Sequence, residues 1–411
     1  MIARILIPVI VLTVLPYLWI DRKYLHIRKG KRKIGYWLPA IIVIGYSAYL
    51  ALEPDFLPSN PVLEDIWFGM LALFFVPQLV FALCSFAGWE CVKLSRRIKK
   101  AKASDDGNSA HLSPACNWGK LLGLVLAVCA FFTFIYGFTM GVRSFQVKRI
   151  TVYVPDLPKS FEGYRIVQFS DIHLGSYYGW RRDLPKRDVD SINAQHADLI
   201  CFTGDLQNVK PDELPPFKRL LSGLKAKDGV VSVLGNHDYT YYMDIDDETE
   251  IRAVEERVQR IEREMGWHLL MNENFVLRRG NDSIYVAGME NYKKPYRAEV
   301  GQTLYGIQKG QFVLMLEHMP EMWKEMLPST INVMHGSKDT VLVAPQLTLS
   351  GHTHAGQVSI FGLRPTMFSA FDYGLFEREG CQLYTTSGLG GTIPIRVGAT
   401  PEIVVITLRR K

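Results

Sequence analysis

Four stretches of apolar residues without a charged side chain lie before residue 143, and no comparable stretch follows them. A helix needs roughly 20 apolar residues to cross the hydrocarbon core of a bilayer. The first stretch is the shortest and contains Pro8 and Pro16, but a basic segment follows it and no small-residue cleavage site is present, which favours a membrane helix over a signal peptide. We therefore expect a membrane region in residues 1–142 with about four transmembrane helices, at residues 5–20, 34–52, 66–89 and 121–140.

The basic residues of this region predict its orientation. Seven Lys and Arg residues lie in residues 22–33 and six lie in residues 93–102, whereas the loop between the second and third stretches contains only acidic charges. Short loops rich in Lys and Arg remain in the cytoplasm. We therefore expect an integral membrane protein of a bacterial inner membrane, in which the chain after residue 140 lies outside the cytoplasm.

The net charge of +6 does not indicate a nucleic-acid binder. Residues 1–142 contain 15 of the 47 basic and 8 of the 41 acidic residues, which leaves 32 basic against 33 acidic residues in the rest of the chain. The excess of positive charge therefore belongs entirely to the membrane region. The bilayer is the expected partner, and no nucleic acid is expected as a stable one.

Short apolar runs alternate with polar or helical segments after residue 160, following a linker or first strand in residues 143–160. The runs are rich in Val, Ile, Leu and Phe, which favours buried strands, and residues 249–265 have one apolar face, which predicts a helix. Alternating strands and helices are typical of an α/β domain, which we place at residues 161–411. The predicted strands occupy residues 165–170, 198–203, 230–234, 312–316 and 346–349.

Each predicted strand ends in residues that bind metals or transfer protons. Ligands of open α/β sheets bind beyond the carboxyl ends of the strands, so we expect these residues to meet. Carboxylates, imidazoles and a carboxamide suit divalent Mn, Fe, Zn or Ni, and two such ions activate water and neutralise a phosphate ester. The residues at the strand ends are Asp171, His173, Asp205, Asn236, His237, Asp238, His318, His352 and His354.

The order of these motifs, D-x-H, G-D, G-N-H-D, a single H and G-H-x-H, resembles that of the calcineurin-like metallophosphoesterases over about residues 160–410. Residues 350–357 and 387–403 are similar to a membrane-associated bacterial branch that includes phosphodiesterase-like enzymes and relatives of UDP-diacylglucosamine hydrolases. The resemblance implies a four-layer α-β-β-α sandwich and a dinuclear metal centre with a bridging hydroxide. Ala355 stands where many members have Gly, which matters only if the backbone there needs a positive φ.

The resemblance also implies a role for each residue of the site. His237 would be the general acid, and Asp238 would be the carboxylate that orients it. His318 stands alone in its run, so a buried structural histidine is the alternative for it, and its competitor His335 is interpreted as structural. One metal would be held by Asp171, His173, Asp205 and His354, and the other by Asp205, Asn236, His318 and His352.

Two functions are compatible with these residues. The first is a metal-dependent phosphohydrolase, a phosphodiesterase or phosphatase, and its place at a membrane favours a lipid-linked or cell-envelope phosphate ester. The alternative is a catalytically weak membrane sensor or scaffold that binds a phosphorylated ligand, but no expected ligand residue is missing. The aromatic residues 177–180 are a candidate substrate wall, with ordinary packing as the alternative. Candidates for binding phosphate, with solvated charges as the alternative, are Arg364, Arg378 and Arg396.

Overall fold

The computed structural model describes residues 2–27, 30–55, 60–105, 116–337 and 340–411. The chain divides into two compact units, Met1–Gly137 and Phe138–Lys411. Among the described residues, the first unit contains helices without strands, and all the strands lie in the second unit. The helices of the first unit are α1 (Ile2–Ile20), α2 (Lys31–Leu50), α3 (Pro61–Met70), α4 (Val76–Asp105) and α5 (Trp118–Tyr136).

Among the described residues, three helical spans are long and apolar enough to cross a membrane: Ile5–Leu25, Pro61–Lys100 and Trp118–Gly141. The second of these joins α3 to α4 through the π-helical turn Leu71–Phe75. The predicted second stretch, residues 34–52, forms most of α2, which is not among the three spans. This helix begins with three basic residues and ends at Leu50, before the last residues of that stretch.

The second unit contains two six-stranded mixed sheets. The first has the strand order β1-β12-β2-β3-β4-β5, and the second has the order β10-β11-β9-β8-β7-β6. The strands of the first sheet are β1 (Gln146–Val154), β2 (Arg165–Phe169), β3 (Leu199–Thr203), β4 (Val230–Val233), β5 (His268–Leu269) and β12 (Glu402–Arg410). Those of the second are β6 (Glu273–Arg279), β7 (Asp282–Gly288), β8 (Val313–Leu316), β9 (Leu347–Ser350), β10 (Gly374–Arg378) and β11 (Cys381–Thr385).

The centre of each sheet is parallel. Strands β2, β3, β4 and β5 run parallel to one another, as do β7, β8, β9 and β11, and antiparallel pairs lie towards the edges. Residues 143–160, for which a linker or a strand was expected, contain β1, which pairs in parallel with β12. Because parallel strands end at the same edge, the loops after β2, β3 and β4 meet there.

Alternation along the strands builds three apolar layers. On β2, Val167 and Phe169 face helices, whereas Ile166 packs between the sheets against side chains such as Leu314 and Leu349 of the second sheet. The helices that cover the outer faces are α6 (Leu184–Asn193), α7 (Pro215–Leu221) and α8 (Glu248–Glu264) on the first sheet and α9 (Val300–Thr303) and α10 (Pro328–Met334) on the second. The predicted α/β sandwich of four layers, α-β-β-α, is confirmed.

Candidate metal centre

Both sheets contribute residues to one rim of the sandwich. Asp171 and His173 follow β2, Asp205 follows β3, and residues 236–238 follow β4. From the second sheet, His318 follows β8, and residues 352–354 follow β9. The structure places the seven predicted metal ligands in two overlapping groups, and six of the seven side chains are buried.

The first group consists of Asp171, His173, Asp205 and His354, whose ligand atoms all lie within 4.8 Å of one another. The Nε2 atoms of His173 and His354 are 3.2 Å apart, and Nε2 of His173 is 3.5 Å from Oδ2 of Asp205. Two ligands that bind one ion at about 2.1 Å, at angles between octahedral and tetrahedral, are roughly 3.0–3.4 Å apart. The spacing in this group therefore fits a single cation between the side chains.

The second group consists of Asp205, His318 and His352, again with ligand atoms within 4.8 Å of one another. Nε2 of His318 is 3.2 Å from Oδ2 of Asp205 and 3.0 Å from Oδ1 of Asn236. The Asn236 side chain thus lies where it could supply a fourth ligand to this group. Asp205 belongs to both groups, so one carboxylate stands between two positions that each suit a cation.

A hydrogen bond to one main-chain carbonyl fixes the ring orientation of His318. Its Nδ1 donates to the carbonyl oxygen of Thr203 at 2.7 Å, because a carbonyl oxygen only accepts. This bond directs Nε2 into the second group, which is the usual arrangement of a metal-binding histidine. Although burial lowers the pKa of His318, the carboxylates of Asp205 and Asp171 and the hydrogen bond to Thr203 together raise it to about 9. A bound cation would take the place of that proton.

Burial keeps the other imidazoles of the two groups neutral. It lowers the pKa of His173 and of His352 to about 3, and it lowers that of His354 well below its usual value. Neutral imidazoles are the form that binds divalent metals. Burial raises the pKa of Asp205, but the neighbouring His318, His237 and His173 together outweigh this effect and lower it well below 3.8, so the shared carboxylate is ionised. The donor set therefore fits divalent cations.

The backbone of the site is strained. Five of the seven predicted ligands have a left-handed backbone, with φ of 52° at Asp171, 51° at His173, 61° at Asp205, 73° at His352 and 52° at His354. Such a conformation costs on the order of 1–3 kcal/mol for each residue that is not Gly, and it persists where the surrounding fold enforces it. Strain concentrated in one place is typical of a functional site.

Ala355 shares this conformation, with φ of 49°. The replacement of Gly by Ala at this position therefore has a conformational cost, since only Gly adopts a positive φ without a steric penalty.

Two glycines allow the ligand loops to approach closely. A Cβ atom at Gly235 would lie 2.3 Å from Oδ1 of Asp205, and one at Gly351 would lie 2.3 Å from Oδ2 of Asp171. No side chain larger than hydrogen fits at either position. The glycines of these motifs are therefore required by the positions of the two carboxylates.

The hydrogen bonds of Asp238 differ from those that its predicted role, to orient His237, implies. Its carboxylate does not contact His237 but accepts hydrogen bonds from main-chain N–H groups, at 2.8 Å from Asp205, 2.9 Å from Gly235, 2.9 Å from Leu206 and 3.1 Å from Gln207. Residues 236–238 form a 3-10 turn, in which successive side chains point about 120° apart. Asp238 therefore holds the loop that presents Asp205.

His237 is oriented instead by Asn208 and Tyr242. Its Nδ1 donates to the carbonyl oxygen of Asn208 at 2.6 Å, which leaves Nε2 as the ring atom available for proton exchange. The ring stacks on that of Tyr242, with centroids 4.3 Å apart, and its centroid is 4.8 Å from that of His173. Burial lowers the pKa of His237.

Tyr242 also fixes the carboxamide of Asn236, because its hydroxyl accepts a hydrogen bond of 2.7 Å from Nδ2 of that residue. This bond turns Oδ1 of Asn236 towards His318. Tyr242 was not predicted from the sequence, where the only signal for it is a tyrosine-rich segment directly after the G-N-H-D motif.

The three arginines that were candidates for phosphate binding lie in different environments. Arg396 is buried, and its guanidinium donates to the carbonyl oxygens of His354 at 3.0 Å and Ser387 at 2.9 Å, so it supports a ligand loop rather than lying in solvent. Arg364 pairs with Asp372 at 2.8 Å, and Arg378 is exposed on β10.

The remaining candidates are His335 and the segment of residues 177–180. His335 follows α10, with Nε2 3.8 Å from Oε2 of Glu325, and belongs to neither group of ligands. Of the aromatic residues 177–180, Tyr177 is buried in the core and Trp180 is about half exposed.

Comparison with known proteins assigns the chain to a family. A model of the calcineurin-like phosphoesterase family matches residues 164–356, and a model described as a probable calcineurin-like phosphoesterase transmembrane domain matches residues 3–142. The metallophosphoesterase YkuE of Bacillus subtilis is 30% identical over 262 residues, which cover 62% of this chain and 82% of YkuE. The chain belongs to the calcineurin-like metallophosphoesterase family.

Two further relatives, which align with most of this chain, support the same conclusion. A metallophosphoesterase of Campylobacter jejuni is 24% identical over 385 residues, which cover 92% of this chain and 90% of the relative. A transmembrane protein with a metallophosphoesterase domain from Danio rerio is 26% identical over 359 residues, which cover 84% and 75%. The chain is thus a membrane metallophosphoesterase, a hydrolase of phosphate esters with an Asp/His metal site.

Proposed function

We propose that this metallophosphoesterase uses two divalent metal ions, one in each group of ligands, with Asp205 shared between them. The observation that carries the proposal is the position of the Asp205 carboxylate, 3.5 Å from Nε2 of His173 in one group and 3.2 Å from Nε2 of His318 in the other. Divalent ions at such a pair of positions supply an activated water molecule and neutralise phosphoryl charge. The first ion is held by Asp171, His173, Asp205 and His354, and the second by Asp205, Asn236, His318 and His352.

His237 has the role of the proton donor to the leaving oxygen. Its Nδ1 is held by the Asn208 carbonyl, and its ring lies beside that of His173, so its Nε2 is the atom that transfers a proton at the edge of the centre. The stacked ring of Tyr242 limits rotation of the imidazole. Asp238 acts indirectly, because its carboxylate accepts a hydrogen bond from the main chain of Asp205 and holds that loop.

The substrate in this proposal is a phosphate ester at a membrane, lipid-linked or part of the cell envelope. The membrane region of the chain supports it, since anchoring concentrates the enzyme beside such esters. The basic loops support an orientation in which the metallophosphoesterase domain lies outside the cytoplasm of a bacterial inner membrane.

The test combines metal analysis with hydrolysis assays on the full chain purified in detergent micelles. Aryl phosphate and bis-aryl phosphodiester substrates are supplied with Mn²⁺. We expect about two metal ions per chain in the wild type, fewer in Asp205→Asn, and two in His237→Ala. Because His237 transfers a proton but holds no ion, His237→Ala loses activity by about 10²–10⁴-fold while it keeps its metals.

His335→Ala is the matched control, because this histidine lies outside both groups of ligands. It should keep both its metal content and its activity. Two ions retained in Asp205→Asn would contradict the shared carboxylate, and equal turnover by wild type and His237→Ala would contradict the proton donor. Binding of a phosphate ester without turnover by the wild type would support the sensor or scaffold instead.

A further inference from the structure

A loop that carries five exposed apolar side chains follows the last metal-ligand motif directly. We call residues 358–369 the apolar finger. The exposed fractions of Phe361 and Phe368 are 102% and 91%. The finger contains no acidic residue, and its single basic residue, Arg364, is paired with Asp372. The exposed apolar side chains are Ile360, Phe361, Leu363, Met367 and Phe368.

The finger is held by hydrogen bonds at its base and along its length. At the base, the N–H of Ser359 donates to the carbonyl oxygen of Val397 at 2.6 Å. At the tip, Ile360 and Leu363 exchange main-chain hydrogen bonds of 3.1 and 3.0 Å. Arg364 donates from Nε and from one terminal nitrogen to the two carboxylate oxygens of Asp372. The apolar side chains are therefore displayed by a defined backbone.

Phe361 at the tip of the finger is unfavourable both for the backbone conformation of the turn and for exposure to water. Phe361 has φ of 52° and Gly362 has φ of 81°, which is the geometry of a two-residue hairpin turn that prefers Asn-Gly. A bulky aromatic residue at positive φ is unfavourable, and its complete exposure to water adds a second cost. Folding explains neither cost, which points to a function in contact with something apolar.

The base of the finger is connected to the point where the chain enters this domain. Val397, the hydrogen-bond partner of Ser359, lies four residues before Pro401. The carbonyl oxygen of Pro401 accepts a hydrogen bond from the N–H of Gln146. Four residues of chain span at most about 14 Å. The apolar span that ends at Gly141 lies five residues before Gln146, so connectivity keeps Gln146 within about 18 Å of the end of that span.

We propose that the apolar finger inserts into the interfacial region of the lipid bilayer that the chain's own helices occupy. Aromatic side chains favour the boundary between headgroups and hydrocarbon, and the absence of acidic residues avoids repulsion from anionic lipids. Insertion brings His354, four residues before the finger, close to the lipid surface. The insertion is a property of the surface and does not depend on catalysis.

The test places a photoreactive benzoylphenylalanine at Phe361 or at Phe368 of the full chain in phospholipid nanodiscs. Tyr305 is the matched control, because it is an exposed aromatic residue near β6, at the opposite edge of the second sheet from β10. We expect lipid adducts at residues 361 and 368 in about tenfold excess over residue 305, detected by mass spectrometry of the peptides. Equal yields at the three positions, or adducts with a second copy of the chain, would overturn the proposal.

A second variant separates insertion from folding. Asn suits the positive φ of residue 361, so Phe361→Asn keeps the turn while it removes the aromatic ring. In that variant the lipid adduct at residue 368 should fall about tenfold, and the unfolding temperature should not fall. An unchanged adduct yield would show that the finger does not act as an inserted unit. Neither experiment requires hydrolysis, so a failure of the proposed enzymatic function leaves both outcomes readable.

Discussion

Replacing Gly235 with Ala should disrupt the metal centre while the domain stays folded. Because Cβ atoms essentially never approach another atom closer than 3.0 Å, the contact of 2.3 Å with Oδ1 of Asp205 requires a shift of about 0.7 Å, and Cε1 of His318 at 2.8 Å must move as well. Metal–ligand distances tolerate only about 0.2 Å. The backbone of Gly235 is extended, with φ of −101°, so Ala adds no conformational strain there.

The displaced carboxylate is the one shared by both groups of ligands, so both positions should lose affinity. Misplacement of a reacting group by about 1 Å costs about 100-fold in rate, and overpacking costs about 1–3 kcal/mol of stability. The assay measures metal content by mass spectrometry, hydrolysis of an aryl phosphate, and thermal unfolding, all on the full chain in detergent. Gly301→Ala is the control, because its nearest contact is 3.3 Å. A Gly235→Ala variant with wild-type metal content and activity would refute the steric argument.

Three further predictions concern the stability of the same domain. Chelation of divalent ions should lower its unfolding temperature, and readdition should restore it. The reason is that an ion at 100 times its dissociation constant stabilises the folded domain by about 2.7 kcal/mol. An unchanged unfolding temperature would contradict metal binding. Ala355→Gly should raise the unfolding temperature by about 2–4 °C, because the gain from relieving positive φ, about 1–2 kcal/mol, exceeds the entropic cost of Gly. Burial raises the pKa of Glu262 well above its usual value, so the folded chain keeps a proton that the unfolded chain releases above about pH 4.5. Glu262→Gln should therefore unfold at a higher temperature than wild type at pH 8, with a difference that shrinks as the pH falls towards 4.5.

The positions of the predicted metal ligands could be inferred from the sequence because periodicity and strand ends determine them. An apolar run of four to six residues is readable as a buried strand, and parallel strands end at one edge, so Asp171 and Asp205 had to lie near each other once β2 and β3 were adjacent. The helix expected at residues 249–265 is likewise α8, whose apolar stripe buries Val258 and Ile261.

The residues that act through others were not predictable. Asp238 follows His237 in sequence, but the tight turn at this position directs the two side chains apart. Tyr242 acts by stacking and by one hydrogen bond, and neither leaves a pattern in a single sequence. In the sequence, Arg396 resembles a solvent-exposed charge. Its burial is visible only in the structure, where its guanidinium donates hydrogen bonds to carbonyl oxygens of two separate loops.

The place of β12 between β1 and β2 has a consequence for biosynthesis. Gln146 pairs with Glu402, which is 256 positions later in the chain. At a synthesis rate of about 5–20 residues per second, the ribosome needs roughly 13–50 s to make the second partner after the first. During that interval the strand edges that β12 later covers remain open, and open edges are templates for aggregation. We therefore expect the nascent domain to be prone to aggregation until residues 402–410 have emerged.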